Sequence, residues 1–165
     1  MQQEVGQRAG ERLGEDMGQR PPDAGLVFIG RIRTPWRTRS DCPKNTASSA
    51  ALCQVELAAE FAPALDGLAG TSHVIVLYWL DRARRDYLVQ APSHAPYPLG
   101  TFALRSPNRP NPIGVGIVPL CRIDGHVLEV QGLDCLDGTP LLDVKPYLAN
   151  TDSHPAAVVG WRRSG

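Results

Sequence analysis

The sequence has no apolar run that could cross a bilayer: the longest, residues 74–80, falls far short of the roughly 20 residues a span requires. Its first residues are polar and lack a secretory hydrophobic stretch, so a cytoplasmic location and no membrane partner are expected. Net charge is absent too. The 17 Lys and Arg balance 17 Asp and Glu, which excludes the bulk-basic histone-like and ribosomal classes. Lysine is scarce: Lys44 and Lys145 are the two, and every other basic residue is arginine. Cys42, Cys53, Cys121 and Cys135 form no C-x-x-C pair and have no histidine at finger-like spacing. They are expected to be reduced thiols, partly in the core. His73, His94, His126 and His154 are scattered, and no metal is expected. What is present suits one globular domain: 165 residues, 42% apolar, with 16 Gly and 15 Pro favouring turns and short elements over long helices.

Residues 1–24 differ from the rest. They are rich in Gln, Gly, Arg and Glu, and Val5, Leu13 and Met17 cannot make a packed face. A flexible, disordered N-terminal tail is expected there, ahead of a single domain over residues 25–165. That domain reads as mainly β. Strands are expected at residues 26–33, 55–59, 73–80, 101–105, 113–117, 127–133 and 141–144, with a short helix at 61–68. The run at 73–80 suits a strand covered on both faces. In residues 113–117, Ile113, Val115 and Ile117 alternate with Gly114 and Gly116, so one face is expected to pack and the other to leave bare backbone open to a ligand or second chain. Six or seven strands with few helices point to a small closed β-barrel.

The densest chemical signal is GTFALRSPNRPNPIG, residues 100–114. Pro107, Pro110 and Pro112 each lack an N–H and fix φ, so this stretch must run as a rigid loop. It projects Arg105, Ser106, Asn108, Arg109 and Asn111, groups suited to an anion or nucleotide. The competing reading is a proline-rich turn with solvated arginines. A second signal is LDCLDGTPLLDVKPY, residues 133–147. Its Asp137-Gly138-Thr139-Pro140 is turn chemistry, and Asp134, Asp137 and Asp143 add carboxylates. The third is basic: Arg31, Arg33, Arg37 and Arg39 around Trp36, then Arg82, Arg84 and Arg85, residue types that suit phosphate contact and base stacking.

Together, DCPKN, SHVIVLYWLDRARRD, RSPNRPNPIG and LDCLDGTPLLDVKPY, in that order, resemble the TsaA-like (YaeB) family. The resemblance runs from about residue 26 to 161, and the family's characterised members are tRNA methyltransferases of the TrmO type. It implies a compact β-barrel that dimerises and binds S-adenosylmethionine without a Rossmann fold. It also implies methylation of the exocyclic nitrogen of threonylcarbamoyladenosine, next to the tRNA anticodon. By that resemblance the cofactor is lined by Thr46, Ala47 and Ser48, by Asp81 and Arg82, by Arg105 and Ser106, and by Asp137, Gly138, Thr139, Pro140 and Leu141. A base is useful because a carbamoylated amine is a poor nucleophile but a better acid than adenine's own amine. Asp134 or Asp137 is the candidate. Arg109, with its backbone fixed by Pro110, is the candidate cation facing cofactor or RNA phosphate. A homodimer is expected, with the tRNA anticodon loop as partner. Two alternatives stay open: a module that binds S-adenosylmethionine without methylating tRNA, and a methyltransferase for a small molecule.

Overall fold

The computed structural model describes residues 7–162. Their strands are β1 (Arg12–Leu13), β2 (Gly30–Arg33), β3 (Leu52–Leu57), β4 (His73–Trp79), β5 (Tyr87–Gln90), β6 (Leu99–Gly100), β7 (Ile113–Asp124), β8 (Val127–Gln131) and β9 (Pro140–Pro146). The one α-helix among them, α1 (Ala149–Asp152), is a single turn. Two units divide the chain. A barrel unit takes Ala24–Asp81 and Ile113–Ser153, and a smaller unit takes Arg82–Pro112 with the described parts of Met1–Asp23 and His154–Gly165.

Six strands close the barrel in the order β2-β3-β8-β7-β4-β9, each antiparallel to its neighbours, with β9 returning to β2. Closure leaves no sheet edge to protect. The inward faces follow from alternation. Cys53, Val55 and Leu57 of β3, Val74, Val76 and Tyr78 of β4, and Leu128 and Val130 of β8 are buried together with Ile32, Val118, Leu133 and Leu141. Each large side chain of this set gains about 1.5–3 kcal/mol on burial. In place of the expected helix at 61–68 stand 3-10 turns at Ala59–Leu65 and Leu68–Gly70, because Pro63 cannot continue an α ladder.

β7 corrects an expectation. Gly114 and Gly116 face inward and are buried, while Ile113, Val115 and Ile117 point outward at 43%, 38% and 47% exposure. The reason is Tyr78, whose Cα pairs with that of Gly114. A Cβ on Gly114 would stand 2.1 Å from the Tyr78 ring, so the missing side chain makes room for the phenol inside the barrel. The bare glycine backbone is therefore core, not a surface for a partner. β4 is likewise covered fully on its inner face alone: Ile75, Leu77 and Trp79 on the outer face stay half-buried.

The smaller unit is a three-stranded sheet in the order β1-β5-β6. The expected strand at 101–105 is instead a 3-10 turn, Thr101–Ala103. Part of the segment read as a tail supplies β1. Its apolar content is as poor as composition indicated, and polar bonds hold it. Gly14 N–H donates to Asp86 O at 2.7 Å, Ala91 N–H to Glu11 Oε1 at 3.3 Å, and Arg8 Nη1 to Ala91 O at 3.1 Å.

Candidate functional site

In the barrel unit, residues 132–141 and the Thr46–Ser48 turn come together. Gly132 sits at φ +92°, a conformation that L side chains rarely adopt, and a Cβ there would lie 2.6 Å from Thr46 O and 2.7 Å from Ser49 O. Gly132 N–H also donates to Ala51 O at 2.9 Å. The 3-10 turn thus rests directly on the backbone that leads into Asp134. Thr46 is half-buried there, and Ala47 and Ser48 are exposed.

The two candidate carboxylates have different surroundings. Asp137 Oδ1 accepts the Thr34 N–H at 3.2 Å, and its Oδ2 is paired with Arg37. Asp137 N–H donates to Trp36 O at 2.9 Å, and Gly138, at φ +79°, donates to Ile32 O at 2.8 Å. Both oxygens and the backbone of Asp137 are committed to holding the turn against residues 32–37. Asp134 is half-buried, and its Oδ1 accepts the Tyr78 hydroxyl at 2.7 Å. Its Oδ2 takes no hydrogen bond from the described residues. One oxygen is thus fixed by a buried phenol while the other remains available.

Of the remaining predicted cofactor ligands in this unit, Thr139, Pro140 and Leu141 are buried. Thr139 Oγ1 donates to Leu136 O at 2.7 Å, and Leu141 is 0% exposed with its carbonyl taken by Ile29 N–H. These residues shape the turn and the core. Asp81, just past β4, is exposed. A surface cleft of about 480 Å³ is lined by Phe28, Arg31, Glu56 and His126 among others, none of them expected to line the cofactor.

In the smaller unit, Arg82 and Arg105 are exposed and Ser106 is half-buried. Arg109 does not need the acidic partner that its sequence neighbourhood lacks. Its Nη2 donates to Leu104 O at 2.6 Å and Thr101 O at 3.2 Å, which caps the 3-10 turn, and its Nε is buried without a partner among the described residues. The buried thiols are poor nucleophiles. Burial pushes those of Cys53 and Cys135 up, most strongly Cys135.

Sequence reasoning missed Tyr78. A signal existed: it is a polar tip inside an otherwise apolar strand, and a strand with two alternating glycines follows. Thr34 was missed as well, and Trp36 was read only as an aromatic suited to base stacking. Thr34 Oγ1 donates to Cys135 O at 2.9 Å and Trp36 Nε1 to Leu133 O at 2.9 Å, so both anchor the Asp134 segment.

A family model for the tRNA-methyltransferase O N-terminal domain matches residues 31–153. The chain belongs to that family. A probable S-adenosyl-L-methionine-binding protein, VirR of Rhizobium radiobacter, is 48% identical over 124 residues, which cover 75% of this chain and 71% of that one. The tRNA (adenine(37)-N6)-methyltransferase of Escherichia coli is 33% identical over 152 residues, 82% of this chain and 63% of that one. Among solved structures, TrmO from Pseudomonas aeruginosa superposes with a TM-score of 0.71 at 33% identity, covering 87% of this chain and 65% of that one. The chain thus spans less than two thirds of the length of both the Escherichia coli and Pseudomonas proteins.

Proposed function

We propose that this protein is an S-adenosylmethionine-dependent methyltransferase acting on the exocyclic nitrogen of threonylcarbamoyladenosine beside the tRNA anticodon. The observation that carries the reading is Asp134: a half-buried carboxylate with Oδ1 held by Tyr78 and Oδ2 left available. Support for the cofactor is its fit to the same place, since carboxylate and carbonyl oxygens suit a sulfonium and an amine. Thr46, Ala47, Ser48 and Asp81 are the proposed contacts on the barrel unit, with backbone groups of Asp137 and Gly138. Bound there, S-adenosylmethionine supplies an electrophilic methyl group. Asp134 Oδ2 accepts the nitrogen's proton as the N–C bond forms and the S–C bond breaks. Tyr78 keeps that oxygen aimed, and Asp137, bound to Thr34 and Arg37, keeps the turn in place.

The chain is further proposed to act as a homodimer in the cytoplasm. A second copy would cover the outer face of β4 and β7, where Ile75 lies opposite Ile117, Leu77 opposite Val115 and Trp79 opposite Ile113. A monomer by light scattering at micromolar concentration would refute the dimer.

A second reading, binding of S-adenosylmethionine without transfer, is favoured by the higher identity to VirR than to the Escherichia coli enzyme. One experiment separates the two. Purified protein is incubated with S-adenosylmethionine and unmethylated tRNA, and the nucleosides are read by mass spectrometry. A methyl group gained on threonylcarbamoyladenosine supports the enzyme, whereas cofactor binding by calorimetry with unchanged nucleosides supports the binding protein.

A further inference from the structure

Asp134 sits on a stretch that no strand ladder holds. Residues 132–139 lie between the end of β8 at Gln131 and the start of β9 at Pro140, and belong to neither. A carboxylate on such a loop meets a substrate atom in one position only if its backbone is fixed from outside. The fixing comes from the three residues that follow β2: Thr34, Pro35 and Trp36.

Thr34 is 6% exposed, and its hydroxyl makes two bonds. Oγ1 donates to Cys135 O at 2.9 Å and accepts the Trp36 N–H at 3.3 Å. Pro35 between them has a fixed φ and no N–H to compete for that oxygen, so the local turn follows from the sequence. The indole of Trp36 has one donor and no acceptor, and that donor reaches Leu133 O at 2.9 Å. Trp36 O in turn accepts Asp137 N–H at 2.9 Å. Leu133 and Cys135 are buried at 0% and 3% exposure, while Asp134 between them is half-buried. The carbonyls of the residues on both sides of Asp134 are therefore held by side chains of one short segment. Tyr78, also buried, holds a third point, Asp134 Oδ1. The two carbonyl bonds fix the backbone through Asp134 and so the direction of its Cα–Cβ bond. The phenol then fixes the rotation of the carboxylate.

We infer that Thr34 and Trp36 are positioning residues for methyl transfer, acting through Asp134 by clamping the residue on either side of it. This deepens the reading proposed above and rests on it for the role of Asp134. Neither side chain has to touch cofactor or nucleoside, because the hydroxyl proton of Thr34 and the indole proton of Trp36 are already committed to the loop. A role in loop packing alone would have a different signature: its loss would cost the same whether or not residue 134 can take a proton.

The test is a double-mutant cycle on the full chain. It is read by single-turnover transfer from S-adenosylmethionine to unmethylated tRNA, with cofactor affinity measured by calorimetry. Thr34→Val keeps the side-chain shape and the backbone N–H to Asp137 but removes the hydroxyl. It should slow transfer by about ten- to a hundred-fold, the scale of a misplacement of up to about 1 Å, with cofactor affinity within a few-fold of the parent's. Thr34→Ser, which keeps the hydroxyl, should recover most of the rate. Trp36→Phe keeps a ring and removes the donor to Leu133 O, so it repeats the test should Thr34→Val fold poorly. In an Asp134→Asn background each substitution should cost less than about three-fold, because a group that acts through Asp134 has nothing left to position. Equal slowing in both backgrounds would overturn the clamp and leave Asp134 as the base. So would parent rates for Thr34→Val and Trp36→Phe beside a slow Asp134→Asn. Parent-rate transfer by Asp134→Asn would instead remove the base, and the clamp's part in catalysis with it.

Discussion

The barrel and the smaller unit are stabilised by different physics. The barrel buries a continuous cluster from Ile32 and Val55 through Val76 and Leu128 to Leu141, and its backbone groups are satisfied by strand ladders. The smaller unit buries Tyr87, Leu99 and Leu104, none of them part of that cluster, and holds its loops with side chains bonded to backbone. Arg85 Nε to Pro110 O at 2.7 Å and Arg84 N–H to Asn108 Oδ1 at 3.2 Å belong to the same set as the Arg109 cap. Prolines explain the division. A loop with Pro107, Pro110 and Pro112 cannot supply a ladder, so its free carbonyls are met by arginine and glutamine donors. Hydrophobic burial is non-directional and yields a core, whereas directed polar bonds yield a surface of fixed shape.

If that contrast is right, core truncation should have the largest effect. Leu128→Ala should cost about 2–5 kcal/mol in global stability, read as a lower denaturant midpoint. Gly114→Val tests the same core from the opposite side, forcing atoms into the Tyr78 ring, and about 1–3 kcal/mol or more is expected. A wild-type midpoint for either variant would mean that the barrel interior is looser than its packing indicates.

Arg109→Ala should act locally. It removes a cation that holds two carbonyls, each such bond being worth roughly 1.5–3 kcal/mol. Amide exchange and protease cleavage should rise around residues 100–110 while the amides of β3, β4 and β8 keep their protection. Uniform loss of protection in both units would break the distinction. Deleting residues 1–22 should do less. It removes one neutral bond to Asp86 O and two charge-assisted bonds at Ala91, each worth about 1 kcal/mol once solvent screening is counted, and should speed exchange in β5 without moving the barrel's melt.

The smallest effect lies at Asp41. The Thr38 hydroxyl, helped by the Thr38 N–H, holds this carboxyl below its ordinary value. A depressed folded value means the contribution is full above the ordinary carboxylate range and is lost as pH falls through the folded value. Asp41→Asn should therefore flatten the acid limb of a stability-against-pH curve slightly. Stability at neutral pH should fall slightly and the two curves should converge at low pH, so a difference that appears only at low pH would contradict this.

These differences also decide what could be read from the sequence. Alternation in residues 127–133 and the apolar run in 73–80 made β8 and β4 legible, because a buried face leaves a period of two, whereas β3 (Leu52–Leu57) was expected three residues late, at 55–59. β7 misled: isoleucine and valine normally face inward, and only the bulk of Tyr78 on the neighbouring strand reverses them. Thr101–Ala103 looked like a strand because the donor that caps it, Arg109, lies outside the segment. β1 was hidden for a similar reason, since backbone and carboxylate bonds leave no mark in composition. At the site, the Asp134 and Asp137 segment stood out by its turn chemistry. Which carboxylate has an oxygen to spare depends on Thr34, Arg37 and Tyr78, all distant in sequence.

The rate of methyl transfer in a single turnover most directly tests the central claim that Asp134 accepts the proton. With saturating S-adenosylmethionine and unmethylated tRNA, Asp134→Asn should slow transfer by about 10²–10⁴-fold, the usual contribution of a positioned base. Its cofactor affinity should stay within a few-fold of the parent's. Tyr78→Phe, which frees the carboxylate without removing it, should fall between the two in kcat with KM unchanged. Transfer by Asp134→Asn at the parent rate would contradict the account and move the proton acceptor elsewhere.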